Sequence, residues 1–181
     1  MNEVITEEYR AMQQELHKNP MYGMMSKQYA GLVAQVMKEN KLISVSDYGA
    51  GKKRLYYSLL EEGLVDFDYF PYDPAFPEYG SAQHADLITC IDVLEHIEPD
   101  LLDNVLSDLQ RLVNKYGLFS IHTGPAGKVL SDGRNAHLIQ EPKEWWLTKL
   151  KKLFNIHAQA DKGAGFWVVV TPKDNNNEER M

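Results

Sequence analysis

The sequence Val45-Ser46-Asp47-Tyr48-Gly49-Ala50-Gly51-Lys52-Lys53 leads from an apolar run through an acidic residue into two closely spaced glycines. The β-branched residues within 43–45 suit a buried strand. Gly49 and Gly51 permit backbone angles and a close approach of a ligand that a Cβ atom would block. Residues 54–60 then carry apolar side chains at helical spacing. The pattern predicts a strand, a ligand loop and a helix whose first N–H groups point at whatever lies over the loop.

A second apolar run, at residues 85–91, continues into Asp92-Val93-Leu94-Glu95-His96-Ile97. It predicts a buried strand that leaves these polar residues at its carboxyl end. Downstream, residues 101–113 predict an amphipathic helix and residues 117–122 the next strand. The remaining expected elements are a helix at 142–154 and two last strands at 155–159 and 166–170.

The two segments resemble motifs I and IV of the class I S-adenosylmethionine-dependent methyltransferases. The second is very similar to motif IV of the small, ubiquinone-biosynthesis-like members of methyltransferase type 11. In motif I, Asp47, Gly49 and Gly51 match the acid and the first two glycines, whereas Lys53 stands where a third glycine usually falls. The resemblance implies an α/β fold, with a Rossmann-like sheet flanked by helices and an antiparallel last strand. It also implies S-adenosyl-L-methionine as the cofactor.

The resemblance further assigns cofactor contacts. Residues 67–73 predict the second strand, and Asp73 lies at its end, about 26 positions beyond Asp47. An acid at this place in nucleoside-binding sheets accepts hydrogen bonds from the ribose hydroxyls; an ordinary Asp-Pro turn is the alternative. The implied cofactor-binding residues are Asp47, Tyr48, Gly49, Ala50, Gly51, Asp73, Pro74, Asp92 and Val93.

The chain departs from the family between residues 74 and 84, which are rich in Pro, Gly and polar side chains. A parallel crossover with its helix needs at least about 10 to 12 residues before the strand itself is counted. The third-strand region is therefore expected to be shortened. Phe76 and residues 81–83 are the candidates for contacts with adenine.

A polar, Gly-rich loop at residues 123–138 follows the next strand, where open α/β sheets bind ligands. Arg134 is expected to hold a carboxylate or phosphate of the substrate, and His137 to act as a base or a metal ligand. The alternative is a loop tied down by its own Asp and Asn side chains. The candidates for a catalytic base are His96, His122 and His137, each with a structurally hydrogen-bonded histidine as the alternative.

Two helices are expected before the sheet, at residues 4–17 and 29–37, because Pro20 and Gly23 interrupt the helical pattern. In the family such helices commonly cover the cofactor cleft and contribute to substrate selection. The candidate lid residues are Tyr22, Met24, Met25 and Tyr29, which alternatively pack the helices onto the core. The sequence thus divides into covering helices (1–40), a cofactor-binding core (41–173) and a polar tail (174–181), together one domain.

The composition of the chain limits the kinds of partner that it can be expected to bind. The formal net charge of -7 over 181 residues disfavours binding to nucleic acid, which depends on Lys and Arg. The single cysteine, Cys90, lies in an apolar run and fits a reducing compartment. No apolar run approaches the roughly 20 residues that span a bilayer. These observations favour a cytoplasmic enzyme with a small-molecule substrate.

The sequence therefore predicts a methyltransferase that acts on an oxygen or nitrogen acceptor without a metal ion. One alternative is a metal-dependent RNA terminal-ribose methyltransferase of the Hen type, with Asp92, Glu95, His96 and His137 as ligands. Here the first ligand is Asp rather than Glu, and the second histidine of the later motif is absent. The other alternative is a non-catalytic binding protein, which Lys53 and the shortened region would suit.

Overall fold

The computed structural model describes residues 2–173, so the predicted polar tail at 174–181 lies outside the described residues. The helices are α1 (Glu7–His17), α2 (Ser26–Asn40), α3 (Arg54–Glu61), α4 (Leu102–Leu112) and α5 (Lys143–Leu153). The strands are β1 (Ser44–Tyr48), β2 (Asp68–Tyr72), β3 (Ala85–Ile91), β4 (Val113–His122), β5 (Phe154–Lys162) and β6 (Gly165–Pro172). The predicted order of helices and strands is confirmed.

The strands form one sheet in the order β2-β1-β3-β4-β6-β5. The first four strands are parallel, and β6 runs antiparallel to both β4 and β5. The Rossmann-like α/β fold with an antiparallel last strand is thereby confirmed. The last strand does not lie at the edge, however. Only residues 163 and 164 separate β5 from β6, and such a tight connection makes the two strands antiparallel neighbours, with β6 inserted beside β4.

The shortened region leaves β2 as an edge strand. Between β2 and β3 the described chain contains only a short 3-10 helix at Pro77–Tyr79, so the predicted loss of a helix and a strand is confirmed. An exposed strand edge presents unpaired N–H and C=O groups to other chains. Pro71 lies within β2 and has no N–H to offer, which makes this edge a poor template for further pairing.

The core lies on both faces of the sheet because successive strand residues point to opposite sides. In β3, Ile88 and Cys90 pack with α4 and α5, whereas Leu87 and Ile91 pack with α2 and α3. Cys90 is completely buried, as expected of a small apolar side chain. None of the described helices combines the length and the apolar character that crossing a membrane requires.

The two N-terminal helices have different positions. The buried face of α2, which includes Tyr29, Val33 and Met37, packs into the core beside α3. Helix α1 instead belongs to a small separate cluster, in which Tyr9 packs with residues of the 123–138 loop such as Ala136. Only α1 is therefore placed to cover the carboxyl edge of the sheet.

Candidate functional site

A cavity of about 110 Å³ lies at the carboxyl ends of β1, β2 and β3 and beneath α1. Its walls come from α1 and the segment that follows it, the glycine loop at 49–53, the end of β2 and the turn after β3 at 92–97. The residues from the sequence prediction that line it are Tyr22, Met25, Tyr48, Gly49, Ala50, Gly51, Asp73, Pro74, Asp92, Val93 and His96.

The glycine loop packs directly on the turn after β3. Gly49 has a φ of 84°, in the left-handed region that favours glycine. A Cβ atom on Gly49 would lie 2.3 Å from Cγ2 of Val93, well inside van der Waals contact. The backbone N–H groups of Gly49 and Ala50 both donate to the carbonyl oxygen of Tyr72, at 2.8 and 3.0 Å. The glycine is thus required both by the backbone angle and by the closeness of the opposite wall.

Asp73 joins the end of β2 to the glycine loop. Its carboxylate accepts hydrogen bonds from the N–H of Gly51 at 2.9 Å and from the N–H of Ala75 at 2.8 Å. Burial raises the pKa of Asp73, and these two N–H groups oppose that effect. Each carboxylate oxygen has a second acceptor position. The side chain therefore lies in the cavity wall with capacity for a ligand's hydroxyl groups.

Asp47 does not line the cavity, which corrects the expectation of a direct contact with the cofactor. Its side chain points to the opposite face of the sheet from that of Tyr48, its neighbour in the strand. There it accepts hydrogen bonds from Thr89 Oγ1 at 2.9 Å and from the Tyr69 hydroxyl at 2.5 Å. Burial raises the pKa of Asp47 to about 6. Asp47 supports the strand from which the loop begins.

The turn after β3 begins with a strained residue. Asp92 has a φ of 58°, which is uncommon for a residue with a side chain. Such outliers persist where the surrounding structure fixes them, and they cluster at functional sites. The turn brings Asp92 and His96 together with His137 from the 123–138 loop. One potential ligand atom from each of the three residues lies within 4.8 Å of the others.

Backbone carbonyl groups fix the tautomers of two of these histidines. His96 Nδ1 lies 2.8 Å from the carbonyl oxygen of Ala136, and His137 Nδ1 lies 2.7 Å from that of Gly124. A carbonyl oxygen only accepts, so each Nδ1 carries a proton, and in a neutral ring Nε2 then carries the lone pair. Burial lowers the pKa of His96 to about 4, which leaves it neutral at pH 7. The His96 ring therefore offers an Nε2 acceptor, and His137 has its Nε2 free of the contact with Gly124.

Glu95 of the turn and His122 of β4 pack next to this cluster. Glu95 is completely buried, and its Oε1 accepts from the N–H of His122 at 2.6 Å. Burial and then the nearby Asp92 carboxylate raise the pKa of Glu95 well above its usual range. The His122 ring lies 4.8 Å from that of His137, between centroids, and does not line the cavity. His122 therefore lies against His137 and outside the cavity lining.

Arg134 also lies outside the cavity lining. Its Nε is 2.7 Å from Oδ2 of Asp132, and about half of the Arg134 side chain is exposed. Asn135 Oδ1 accepts from the N–H groups of Ala126 and His137, both at 2.9 Å. The alternative stated from sequence, a loop tied down by its own Asp and Asn side chains, describes this segment. The expectation that Arg134 contacts the substrate is not supported by its position.

Three cavity residues of α1 were missed from sequence: Tyr9, Gln13 and His17. The Tyr9 hydroxyl donates to the carbonyl oxygen of His96 at 2.5 Å and accepts from Gln13 Nε2 at 2.6 Å. The Tyr22 hydroxyl donates to Gln13 Oε1 at 3.1 Å. Residues at spacings of four share one face of a helix, so the series 9, 13 and 17 was the available signal.

The candidate lid residues and the candidate adenine contact Phe76 lie in different places. Met25 lines the cavity together with Tyr22, whereas Tyr29 is buried in the core on α2. Phe76 stacks on Tyr79, with ring centroids 5.4 Å apart, and is not part of the cavity lining. The structure thus does not bring the candidate adenine contact Phe76 to this cavity.

Comparison with known proteins gives a match in structure only. No protein-family model matches the chain, and no curated protein matches it. Among solved structures, the Burkholderia thailandensis 1,6-didemethyltoxoflavin-N1-methyltransferase, with bound 1,6-didemethyltoxoflavin and S-adenosylhomocysteine, is similar with a TM-score of 0.66 and 13% identity. That likeness covers 96% of this chain and 93% of the other.

Two further structures have the same arrangement. An O-methyltransferase family protein from Burkholderia thailandensis has a TM-score of 0.67 at 12% identity; the likeness covers 93% of this chain but only 63% of that protein. The N-methyltransferase NodS from Bradyrhizobium japonicum, in complex with S-adenosyl-L-homocysteine, has a TM-score of 0.56 at 9% identity, with 92% and 99% covered. The chain therefore has the class I methyltransferase fold that its two motifs predicted.

Proposed function

We propose that this protein is an S-adenosylmethionine-dependent methyltransferase that acts on a small-molecule oxygen or nitrogen acceptor. One observation carries the proposal: the glycine loop, Asp73 and the turn after β3 line a single cavity at the carboxyl edge of the sheet. Open α/β sheets bind ligands at this edge. The solved structures of similar fold with bound S-adenosylhomocysteine, one of them also with a small heterocyclic substrate, support it.

The residues of the cavity fit this cofactor. Asp73 has acceptor positions for the ribose hydroxyls, and Gly49 and Gly51 place no side chain in the cavity. When bound, the cofactor supplies a methyl group on a positively charged sulfur, which is a good leaving group. The cavity volume of about 110 Å³ is below the roughly 300–1,000 Å³ of typical ligand pockets. Helix α1 would therefore move outward to admit the cofactor.

The chain's own contribution to methyl transfer is alignment of the acceptor and removal of its proton. His96 and His137 both direct Nδ1 to a backbone carbonyl, which leaves Nε2 of each ring for the acceptor's proton, beside Asp92. His137 is not part of the cavity lining, but one of its ring nitrogens lies within 4.8 Å of potential ligand atoms of Asp92 and His96, which line it, and we assign His137 as the base on this ground. Tyr22 lies in the cavity wall, where it would contact the acceptor.

A second candidate, divalent-metal-dependent methylation of a terminal ribose, is favoured by one observation. Asp92, His96 and His137 present three acceptor groups within 4.8 Å, with both Nδ1 protons directed away to backbone carbonyls. Such carbonyl contacts orient ligating histidines in metal sites. These three residues would hold the ion, which would lower the pKa of a hydroxyl bound to it.

The test uses S-adenosylmethionine labelled in its methyl group. The protein is incubated with a panel of small phenols, carboxylic acids and amines and, separately, with short RNA, and the label is followed by mass spectrometry. Label on a small-molecule oxygen or nitrogen is the expected result. Label at the RNA 3′ terminus would favour the second candidate. Binding of the cofactor with label on neither class would favour a non-catalytic binding protein.

Chelation separates the two candidates further. A metal held by two histidines and one carboxylate is lost to EDTA, and activity then returns when the ion is restored. Proton transfer by His137 does not depend on an ion, so we expect EDTA to leave turnover unchanged. Reversible loss of activity, together with stoichiometric metal in protein purified without chelators, would replace the first candidate by the second.

A further inference from the structure

His17 is the last residue of α1 and the point at which this helix meets the glycine loop. A Cβ atom on Gly51 would lie 2.9 Å from Cε1 of His17, so the imidazole rests directly on the glycine. The ring is held by edge contacts with Tyr22 and Phe76, each with centroids 4.9 Å from it. These contacts fix the imidazole over the loop.

The Nδ1 atom of His17 is the second observation that points to a ligand. His17 Nδ1 is shielded from solvent, yet it has no hydrogen-bond partner among the described residues. A buried polar atom left in this condition is costly, and native structures usually satisfy such atoms. Because His17 lines the cavity, a ligand there is the available partner.

The charges around His17 indicate which chemical group of a ligand would bind its Nδ1. Lys52 Nζ lies 2.5 Å from the carbonyl oxygen of Asn19, and Arg54 donates to that of Pro20. These cations therefore flank the segment that follows His17. Burial, Lys52, His96 and Arg54 lower the pKa of His17 to about 4, so its ring is neutral at pH 7. A neutral ring can carry its proton on Nδ1 and donate from there to an anion, and the nearby cations favour a carboxylate.

The same end of the loop offers further N–H groups. Helix α3 starts at Arg54, and its N-cap residue, Lys53, makes no side-chain cap. The free N–H groups at this helix start add to the positive potential beside His17. Asp73, by contrast, accepts from the Gly51 N–H and would repel an anion while it accepts from hydroxyl groups. Gly51 thus contacts two different groups, Asp73, which suits hydroxyl donors, and His17, which suits an anion.

We propose that His17 binds the carboxylate of the cofactor's amino-acid part through its Nδ1–H, and so closes α1 onto the bound cofactor. This inference rests on the proposed function. It makes His17 a binding residue for the cofactor, which the resemblance and the motifs did not assign. The nucleoside part would be held by Asp73, which accepts from the Gly51 N–H, and its binding would not depend on His17.

Two ligands test this division. S-adenosylhomocysteine has both the nucleoside and the amino-acid carboxylate, whereas 5′-methylthioadenosine has the nucleoside alone. Calorimetric titrations compare the wild-type protein with His17→Phe, which keeps the aromatic contacts but has no ring nitrogen. His17→Asn restores an N–H near the position of Nδ1. His157→Phe, at an exposed position of β5, is the matched control.

We expect His17→Phe to bind S-adenosylhomocysteine about tenfold or more weakly than wild type, because a hydrogen bond to a charged group is lost. Its affinity for 5′-methylthioadenosine should be unchanged, and His17→Asn and His157→Phe should bind both ligands within about threefold of wild type. Equal weakening toward both ligands, or weakening toward neither, would overturn the assignment. Wild-type protein that binds neither ligand would instead refute the proposed function.

NMR titration of the wild-type protein tests the same contact without any variant. The pKa of His17 is followed by NMR in the free protein and with each ligand. An adjacent carboxylate stabilises the protonated ring, so S-adenosylhomocysteine should raise this pKa and 5′-methylthioadenosine should not. The same pKa with both ligands would contradict the contact, even if both bind.

Discussion

The glycine loop and the turn after β3 face each other across one cavity, but they satisfy their polar groups differently. In the loop, the N–H groups of Gly49 and Ala50 donate to Tyr72, and that of Gly51 donates to Asp73. In the turn, Asp92 and His96 meet His137 as a set of acceptors, and Oε2 of the adjacent buried Glu95 has no partner among the described residues.

This difference indicates a division of work between the two walls. A loop whose backbone groups are already paired is rigid and presents a fixed shape to a ligand. A cluster of acceptors changes its charge with a proton or an ion, as groups that do chemistry must. The loop is therefore expected to determine binding, and the turn to determine turnover.

The largest effect is expected where the two walls touch. Gly49→Ala forces a Cβ atom to 2.3 Å from Val93 and keeps an unfavourable φ of 84°. Strain and overpacking together should lower the free energy of unfolding by about 3 kcal/mol or more, measured by urea unfolding. Binding of S-adenosylhomocysteine should be lost.

Gly63→Ala is the control for that change. Gly63 has a φ of 80°, but a Cβ atom added there would have no neighbour within 4 Å, so the variant carries the backbone cost without the clash. Gly63→Ala should therefore lower the free energy of unfolding by about 1 kcal/mol. Equal losses for the two variants would show that contact between the loop and the turn contributes nothing.

The stability of the protein should depend on pH through Asp47, which lies in β1 just before the glycine loop. Burial raises its pKa to about 6 from 3.8, so between these values the folded protein binds more protons than the unfolded chain. The free energy of unfolding of wild type, relative to Asp47→Asn, should therefore fall by about 2 kcal/mol as pH rises from 4 to 7. Urea unfolding at several pH values measures it, and a constant difference would show that Asp47 titrates normally.

On the opposite wall, His137→Ala should leave binding intact and slow the reaction. Loss of a base should lower kcat by about a hundredfold, while the affinity for S-adenosylhomocysteine stays within about twofold of wild type. His157→Ala should change neither quantity. A fall in affinity as large as the fall in kcat would place His137 in the binding wall instead.

The smallest effect is expected at Lys53, which takes the position of the third motif glycine with a φ of 56°. Its ammonium lies 4.6 Å from the Tyr79 ring centroid and outside the cavity lining. Lys53→Gly should therefore raise the free energy of unfolding by about 1 kcal/mol through relief of strain. Affinity for the cofactor should change by less than tenfold. A large gain in affinity would show that the native loop is blocked.

The sequence predicted the parts of the site that depend on local pattern. A strand that ends in a glycine loop, and an acid at the end of the next strand, meet at one sheet edge because parallel strands share a direction. Gly49, Asp73 and Asp92 accordingly line one cavity, and their contact with the cofactor stays a prediction. The shortened region between β2 and β3 followed from its length alone.

The other parts depend on orientation and docking. Asp47 was misplaced because the resemblance assigned it a role, although the alternation of strand residues turns it away from Tyr48. Helix α1 docks through contacts such as Tyr9 with His96, which join residues far apart in the chain. No local pattern specifies which wall of the cavity such a helix forms. Arg134 was misjudged because Asp132, two residues earlier, takes its guanidinium.

Titration calorimetry with S-adenosylhomocysteine tests the central claim most directly, since that claim is that the cavity between the two walls binds this cofactor. Wild-type protein should bind it with micromolar affinity, roughly 8 kcal/mol. Asp73→Asn, which keeps an acceptor for one of the two backbone N–H groups, should bind about tenfold more weakly while it remains folded. No detectable binding by folded wild-type protein, or full affinity in Asp73→Asn, would contradict the account.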